Sequence, residues 1–197
     1  MNYQNIDPRN IENGDGIRCV LWVSGCAHNC KGCFNPQTHD PKSGIEFDDN
    51  AKNEIRDALN KDYCAGLTLS GGDPLFPTNV KDVIELCKMT KYEYNKTVWM
   101  WTGMRLEKFL SLYENTLTKY VDVLIDGEFK EELASKTYHW GGSTNQRVVD
   151  IPGTLKKINN ALDSGELKLQ EYDDMLQNDN LDSKLIAYHE PDQKESY

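Results

Sequence analysis

Three cysteines fall within eight residues, in the order Cys26-Ala-His-Asn-Cys30-Lys-Gly-Cys33. Thiolates this close in sequence converge on one metal centre only if the loop curls around it, and Gly25 and Gly32 supply the backbone freedom for that. Three such ligands without a fourth cysteine at matching spacing fit a 4Fe–4S cube with one iron left open, whereas a ferredoxin-like site uses four. An open iron binds a substrate or cofactor, so the pattern implies chemistry as well as electron storage. Two other readings stay open on spacing alone. A structural zinc site could complete the set with His28 or His39, although such sites usually pair two C-x-x-C hooks. A redox pair at Cys30 and Cys33 would leave Cys26 without a role. His28 reads as a loop residue, and Cys19, Cys64 and Cys87, in or beside apolar segments, read as packed free thiols.

The loop follows a short apolar run at residues 17–23, and similar runs recur at 66–70, 97–101 and 120–125. Runs without polar alternation predict strands buried on both faces, as in parallel sheets. Helical patterns lie between them, at 48–60, 79–92 and 105–113. Strand–helix alternation of this kind predicts an α/β fold with a parallel sheet. At 197 residues the chain is short for a complete eight-fold barrel, which needs roughly 250, so an open, partial (β/α) TIM-like barrel is expected. Active sites of such folds gather at the carboxyl ends of the strands, where the cysteine loop lies. Beyond residue 150 the character changes: residues 151–197 hold ten acids against five bases. The expected organisation is one domain at 1–150 and an acidic C-terminal extension at 151–197. The extension is expected to be partly helical, at 155–162 and 167–176, with a disordered end (PDQKESY).

The formal net charge of −10 argues against phosphate backbones and anionic membrane surfaces as partners. No stretch reaches the roughly 20 apolar residues of a membrane span, and the polar amino terminus does not read as a signal peptide. A reducing cytoplasm is the expected location, where six cysteines read as metal ligands or free thiols before disulfides.

With Phe34 after the third cysteine, the loop resembles that of the radical S-adenosylmethionine (SAM) superfamily. Ser70-Gly71-Gly72-Asp73-Pro74, at the end of the next predicted strand, resembles that superfamily's glycine-glycine-acid motif. Alone, GGDP would be only a turn. Further segments narrow the resemblance: Asn13-Gly14-Asp15-Gly16, Cys33-Phe34-Asn35-Pro36, Trp99-Met100-Trp101-Thr102-Gly103, the stretch 122–129 and the stretch 142–147. Together, over about residues 1–150, they are similar to the activating proteins of anaerobic (class III) ribonucleotide reductases. Departures are few: the acid is Asp rather than the superfamily's commoner Glu, Asp15 stands where proline is frequent, and Met104 stands where tyrosine is usual.

The resemblance implies a 4Fe–4S cluster on Cys26, Cys30 and Cys33, with SAM chelated by the open iron. It implies that Gly32 and Phe34 border SAM, and that Gly71, Gly72 and Asp73 hold its methionine end. Two glycines let carbonyls approach an ammonium, and Asp73 supplies a matching charge. Thr102 and Asp126 would shape the site or merely form strand-end turns. Asn145, Gln146 and Arg147 would contact the reductase or form a structural turn. The implied activity starts with an electron from a donor such as flavodoxin and reductive cleavage of SAM. It ends with a glycyl radical on the large catalytic subunit of an anaerobic ribonucleotide reductase. Rival readings are an activase of another glycyl-radical enzyme such as pyruvate formate-lyase, a non-catalytic zinc-binding module, and a small radical SAM enzyme acting on a free metabolite.

Overall fold

The computed structural model describes residues 1–191, and the disorder expected for the end of the chain lies, from residue 192 on, outside the described residues. The four predicted apolar runs form the centre of one sheet: β2 (Ile17–Val23), β4 (Cys64–Gly71), β5 (Thr97–Trp101) and β6 (Val123–Asp126). They are mutually parallel neighbours in that order. The crossovers carry α1 (Asp49–Leu59), α2 (Val80–Tyr92) and α3 (Leu106–Tyr113). Asp48 caps α1 by accepting from the Ala51 amide at 2.9 Å.

Three strands flank this parallel centre, and none was expected from the apolar pattern. β1 (Asn2–Asn10) and the two-residue β3 (Ile45–Glu46) extend one side, and β7 (Arg147–Asp150) pairs antiparallel with β6 on the other. The sheet is open and seven-stranded, in the order β3-β1-β2-β4-β5-β6-β7. The polar β1 buries only Ile6 among its nine residues, so its sequence carries no strand-like apolar run. Residue 120, expected in β6, instead ends a 3-10 turn at Leu117–Lys119.

One large core packs the helices against the sheet through Leu21, Leu67, Leu69, Met100, Leu106 and Phe109. The opposite face holds a smaller cluster of Trp99, Val123, Ile125 and Val148. Beside Trp99 lies Arg18, only 1 % exposed and with no carboxylate bonded to it among the described residues. Its guanidinium is satisfied by neutral acceptors: Thr68 Oγ1, Thr97 Oγ1 and the carbonyls of Asp15, Leu67 and Thr97. Burial therefore pulls its pKa down to about 10.

Past β7 the chain enters α4 (Ile151–Ser164) and α5 (Leu169–Gln177). α4 opens on an Asp150 cap and Pro152 and closes on Gly165 at φ 76°. Tyr172, Leu176, Leu181 and Ile186 bury themselves in the main core. The chain then returns to β7 through a bridge between Val149 and Tyr188, and His189 Nε2 meets Asp15 Oδ2 at 2.7 Å.

Candidate functional site

At the carboxyl ends of the parallel strands lies a cavity of about 410 Å³, within the range of small-molecule sites. Cys26, Cys30, Cys33 and Phe34 line it from the loop after β2, and Gly71 and Gly72 from the end of β4. Thr102 and Gly127 contribute from the ends of β5 and β6. Gly32 and Asp73, also expected at the site, are not among the lining residues. Gly32 turns the loop at φ 71° and faces Glu131. Asp73 is buried beneath the cavity, 3 % exposed, with both carboxylate oxygens occupied. Thr102 Oγ1 donates to it at 2.9 and 3.0 Å, the Leu75 amide at 2.8 Å, and His28 Nε2 lies 2.8 Å away.

His28 is the residue that sequence reasoning undervalued. Its Nδ1 meets Glu128 Oε1 at 2.8 Å, so the ring bridges the turn after β4 and the loop after β6. Hydrogen bonding to Asp73, helped by Glu128 against the cost of burial, pushes its pKa up to about 9. At neutral pH both ring nitrogens therefore carry hydrogen and donate, one to each carboxylate. The ring packs on Gly103, where an added Cβ would sit 2.4 Å from its Cδ2. The position of a histidine between two cysteines was the only signal available, since Glu128 is 100 residues away in sequence.

The far wall rests on charge pairs. Arg147 binds Asp126 and reaches Glu107 at 2.9 and 3.1 Å, while Asp126 Oδ2 also accepts the Leu106 amide at 2.6 Å. Burial opposes both charges here. The hydrogen bonds to Asp126 and Glu107 outweigh it and push Arg147 up, and the bond from Arg147 holds Glu107 below its ordinary value. Arg147 is thus committed inside the fold. Gln146 lines the cavity and donates to the Gly127 carbonyl at 3.0 Å, and Asn145 donates to the Glu128 carbonyl at 2.9 Å. These two hold the loop that carries Glu128.

The donor set fits an iron–sulfur cluster. Three free thiols of intermediate exposure share the cavity, while Cys19, Cys64 and Cys87 are buried elsewhere. Burial pushes the Cys26 and Cys30 thiols up, and backbone amides oppose it, those of His28 and Asn29 at Cys26 and that of Phe129 at Cys30. Among the described residues no three His, Cys, Asp or Glu side chains gather as for a single metal ion. A cube takes each thiolate on a different iron and does not require that. His39 Nε2, on the cavity wall, is buried without a hydrogen-bond partner among the described residues, a place for a polar ligand to fill.

Fold and site together define an α/β protein with a three-cysteine loop at the carboxyl ends of its parallel strands, and a family model described as a 4Fe-4S single cluster domain matches residues 12–149. The anaerobic ribonucleoside-triphosphate reductase-activating protein of Enterobacteria phage T4 is 42% identical over 149 residues, covering 75% of this chain and 93% of its own. That of Haemophilus influenzae is 42% identical over 153 residues, 75% of this chain and 97% of the relative. That of Escherichia coli is 40% identical over 151 residues, with the same coverage of 75% and 97%. The chain belongs to the family of anaerobic ribonucleoside-triphosphate reductase-activating proteins. The family model ends at residue 149, where α4 is about to begin.

Proposed function

We propose that this chain is a radical SAM activase that generates a glycyl radical on the large catalytic subunit of an anaerobic ribonucleoside-triphosphate reductase. The observation that carries the reading is the single cavity lined by Cys26, Cys30, Cys33, Phe34, Gly71 and Gly72 at the ends of parallel strands. On this reading the open sheet is the partial (β/α) TIM-like barrel of the radical SAM type. Residues 1–150 form the activase domain and residues 151–197 its acidic extension. When bound, the 4Fe–4S cluster and SAM supply one-electron cleavage of the sulfonium and removal of a hydrogen atom from the partner's glycine.

The chain's own residues bind, orient and exclude water. Cys26, Cys30 and Cys33 would hold the cluster as thiolates, with SAM bound beside them in the same cavity. The backbone carbonyls of Gly71 and Gly72 would accept from the methionine ammonium, and Asp73, bonded by Thr102 and His28, would hold its end of the turn that presents them. Phe34, 72 % exposed and 4.9 Å from the Phe129 ring, offers an apolar wall at the mouth that packs against the adenine side. Gly32 lets the loop turn beside the third cysteine. A one-electron donor such as flavodoxin supplies the electron, and the reducing cytoplasm keeps the thiols free.

Anaerobic reconstitution tests this reading. With dithionite and SAM the chain should yield 5′-deoxyadenosine and the EPR signal of a reduced cluster, and Cys30→Ala should lose both. A chain that instead holds tightly bound zinc and no acid-labile sulfide overturns it.

A further inference from the structure

We propose that His28 is a positioning residue: through hydrogen bonds to Asp73 and Glu128 it clips the middle of the cysteine loop to the ends of β4 and β6, holding the loop in the shape its cluster needs. The proposal rests on the reading of Cys26, Cys30 and Cys33 as cluster ligands.

Backbone bonding leaves this part of the loop untethered. Cys26 N donates to the His39 carbonyl at 3.2 Å at one end, and Cys33 N donates to Cys30 O at 3.2 Å at the other. Among the described residues no backbone hydrogen bond ties residues 27–29 to the sheet. Asn29 turns the chain at φ 54°, a left-handed conformation that asparagine adopts more readily than other side-chain-bearing residues. The side chain of His28 is what reaches across. Its two acceptors are 2.8 Å away on opposite sides, so rotation of the ring breaks both bonds.

Each anchor is itself anchored. Asp73 is fixed by Thr102 and by the Leu75 amide, and its own carbonyl accepts from buried Asn79 at 3.0 Å. The Glu128 and Gly127 carbonyls accept from Asn145 and Gln146. These residues, from a motif with no catalytic group, thus act on the cluster loop through His28. Gly103 completes the seat, because any side chain there would displace the ring. The clip adds to ties at the two ends of the loop, where the Asp73 amide donates to the Gly25 carbonyl at 2.8 Å and Lys31 pairs with Glu131 at 2.9 Å, and it is the side-chain tie at the loop's middle.

The test uses the full chain, reconstituted anaerobically, and follows the rate of iron release to a chelator together with the EPR line shape of the reduced cluster with SAM. Loss of both 2.8 Å side-chain hydrogen bonds at the middle of the loop predicts that His28→Ala releases iron about tenfold faster or more. Glu128→Ala, at a half-exposed anchor, should accelerate release roughly two- to fivefold. Glu128→Gln, whose amide oxygen still accepts from Nδ1, should restore most of the wild-type rate. The double variant His28→Ala/Glu128→Ala should be no faster than His28→Ala, since both act through one ring. Should His28→Ala fail to fold, the Glu128 pair decides: faster release in Glu128→Ala and recovery in Glu128→Gln, with thermal unfolding of the cluster-free chain unchanged, supports the clip. Wild-type rates and line shapes in the variants, or effects of His28 and Glu128 that multiply independently, overturn it while the cluster reading stands. A wild-type chain that takes up zinc and no sulfide overturns the cluster reading and the clip with it.

Discussion

Gly103→Ala isolates the fit between the β5 end and the cysteine loop. Position 103 has no left-handed φ, so alanine is free of backbone strain there and its cost is steric alone. The new Cβ would stand 2.4 Å from His28 Cδ2, 2.5 Å from Cγ and 2.7 Å from Nε2, nearer than carbon atoms approach one another. The ring is bonded on both sides at 2.8 Å and has no room to slide without losing a partner. Either the fold absorbs the overlap, at about 1–3 kcal/mol for overpacking, or the ring swings out and forfeits a charged hydrogen bond, at about 1.5–3 kcal/mol. Both routes predict a loss of about 2 kcal/mol in urea unfolding of the cluster-free chain, with an unchanged slope. In a His28→Ala background the overlap vanishes, and the same substitution should cost less than about 0.5 kcal/mol. Equal costs in the two backgrounds would refute the reasoning.

Arg147→Leu should destabilise the chain by about 3–5 kcal/mol in denaturant unfolding, because it leaves the buried Asp126 carboxylate without its cation and Glu107 with only the more distant Arg105 at 3.4 Å. A loss under 1 kcal/mol would mean that these charges are solvated or neutral instead. Native alkylation of the cluster-free chain, read by mass spectrometry, should label Cys26, Cys30 and Cys33 well before the buried Cys19, Cys64 and Cys87. Cys19 should be among the slowest, since burial pushes its thiol up to about 12. Asp150→Ala should cost about 1 kcal/mol by removing the cap on the Gly153 amide at the start of α4, measured by the unfolding midpoint.

The parallel centre of the sheet was legible because its strands are apolar on both faces and its helices keep their period. The flanking strands were not. β1 gains its place from pairing with β2, and a sequence with one buried residue in nine does not advertise that. β7 is two buried valines between charged residues, too short to separate from the α4 pattern that follows. At the site, the cysteines and the glycine turn announced themselves by spacing within one loop each. What stayed hidden were pairings across the chain. Asp73 reads as a charge aimed at a ligand, and nothing in the sequence signals its bonds to His28 and Thr102. Arg147 reads as a reductase contact or as part of a structural turn, and nothing near it in sequence signals the two buried acids it pairs with. Residue type announces a charge, and only the fold decides what faces it.

The central claim, radical activation of a partner reductase, is tested most directly by EPR of the reaction mixture. The reconstituted chain is combined anaerobically with dithionite, SAM and the large subunit of an anaerobic ribonucleoside-triphosphate reductase. The account predicts the doublet of a glycyl radical on the reductase, accompanied by 5′-deoxyadenosine and absent with Cys30→Ala. A mixture that cleaves SAM at an intact cluster yet leaves the reductase without that doublet would contradict it.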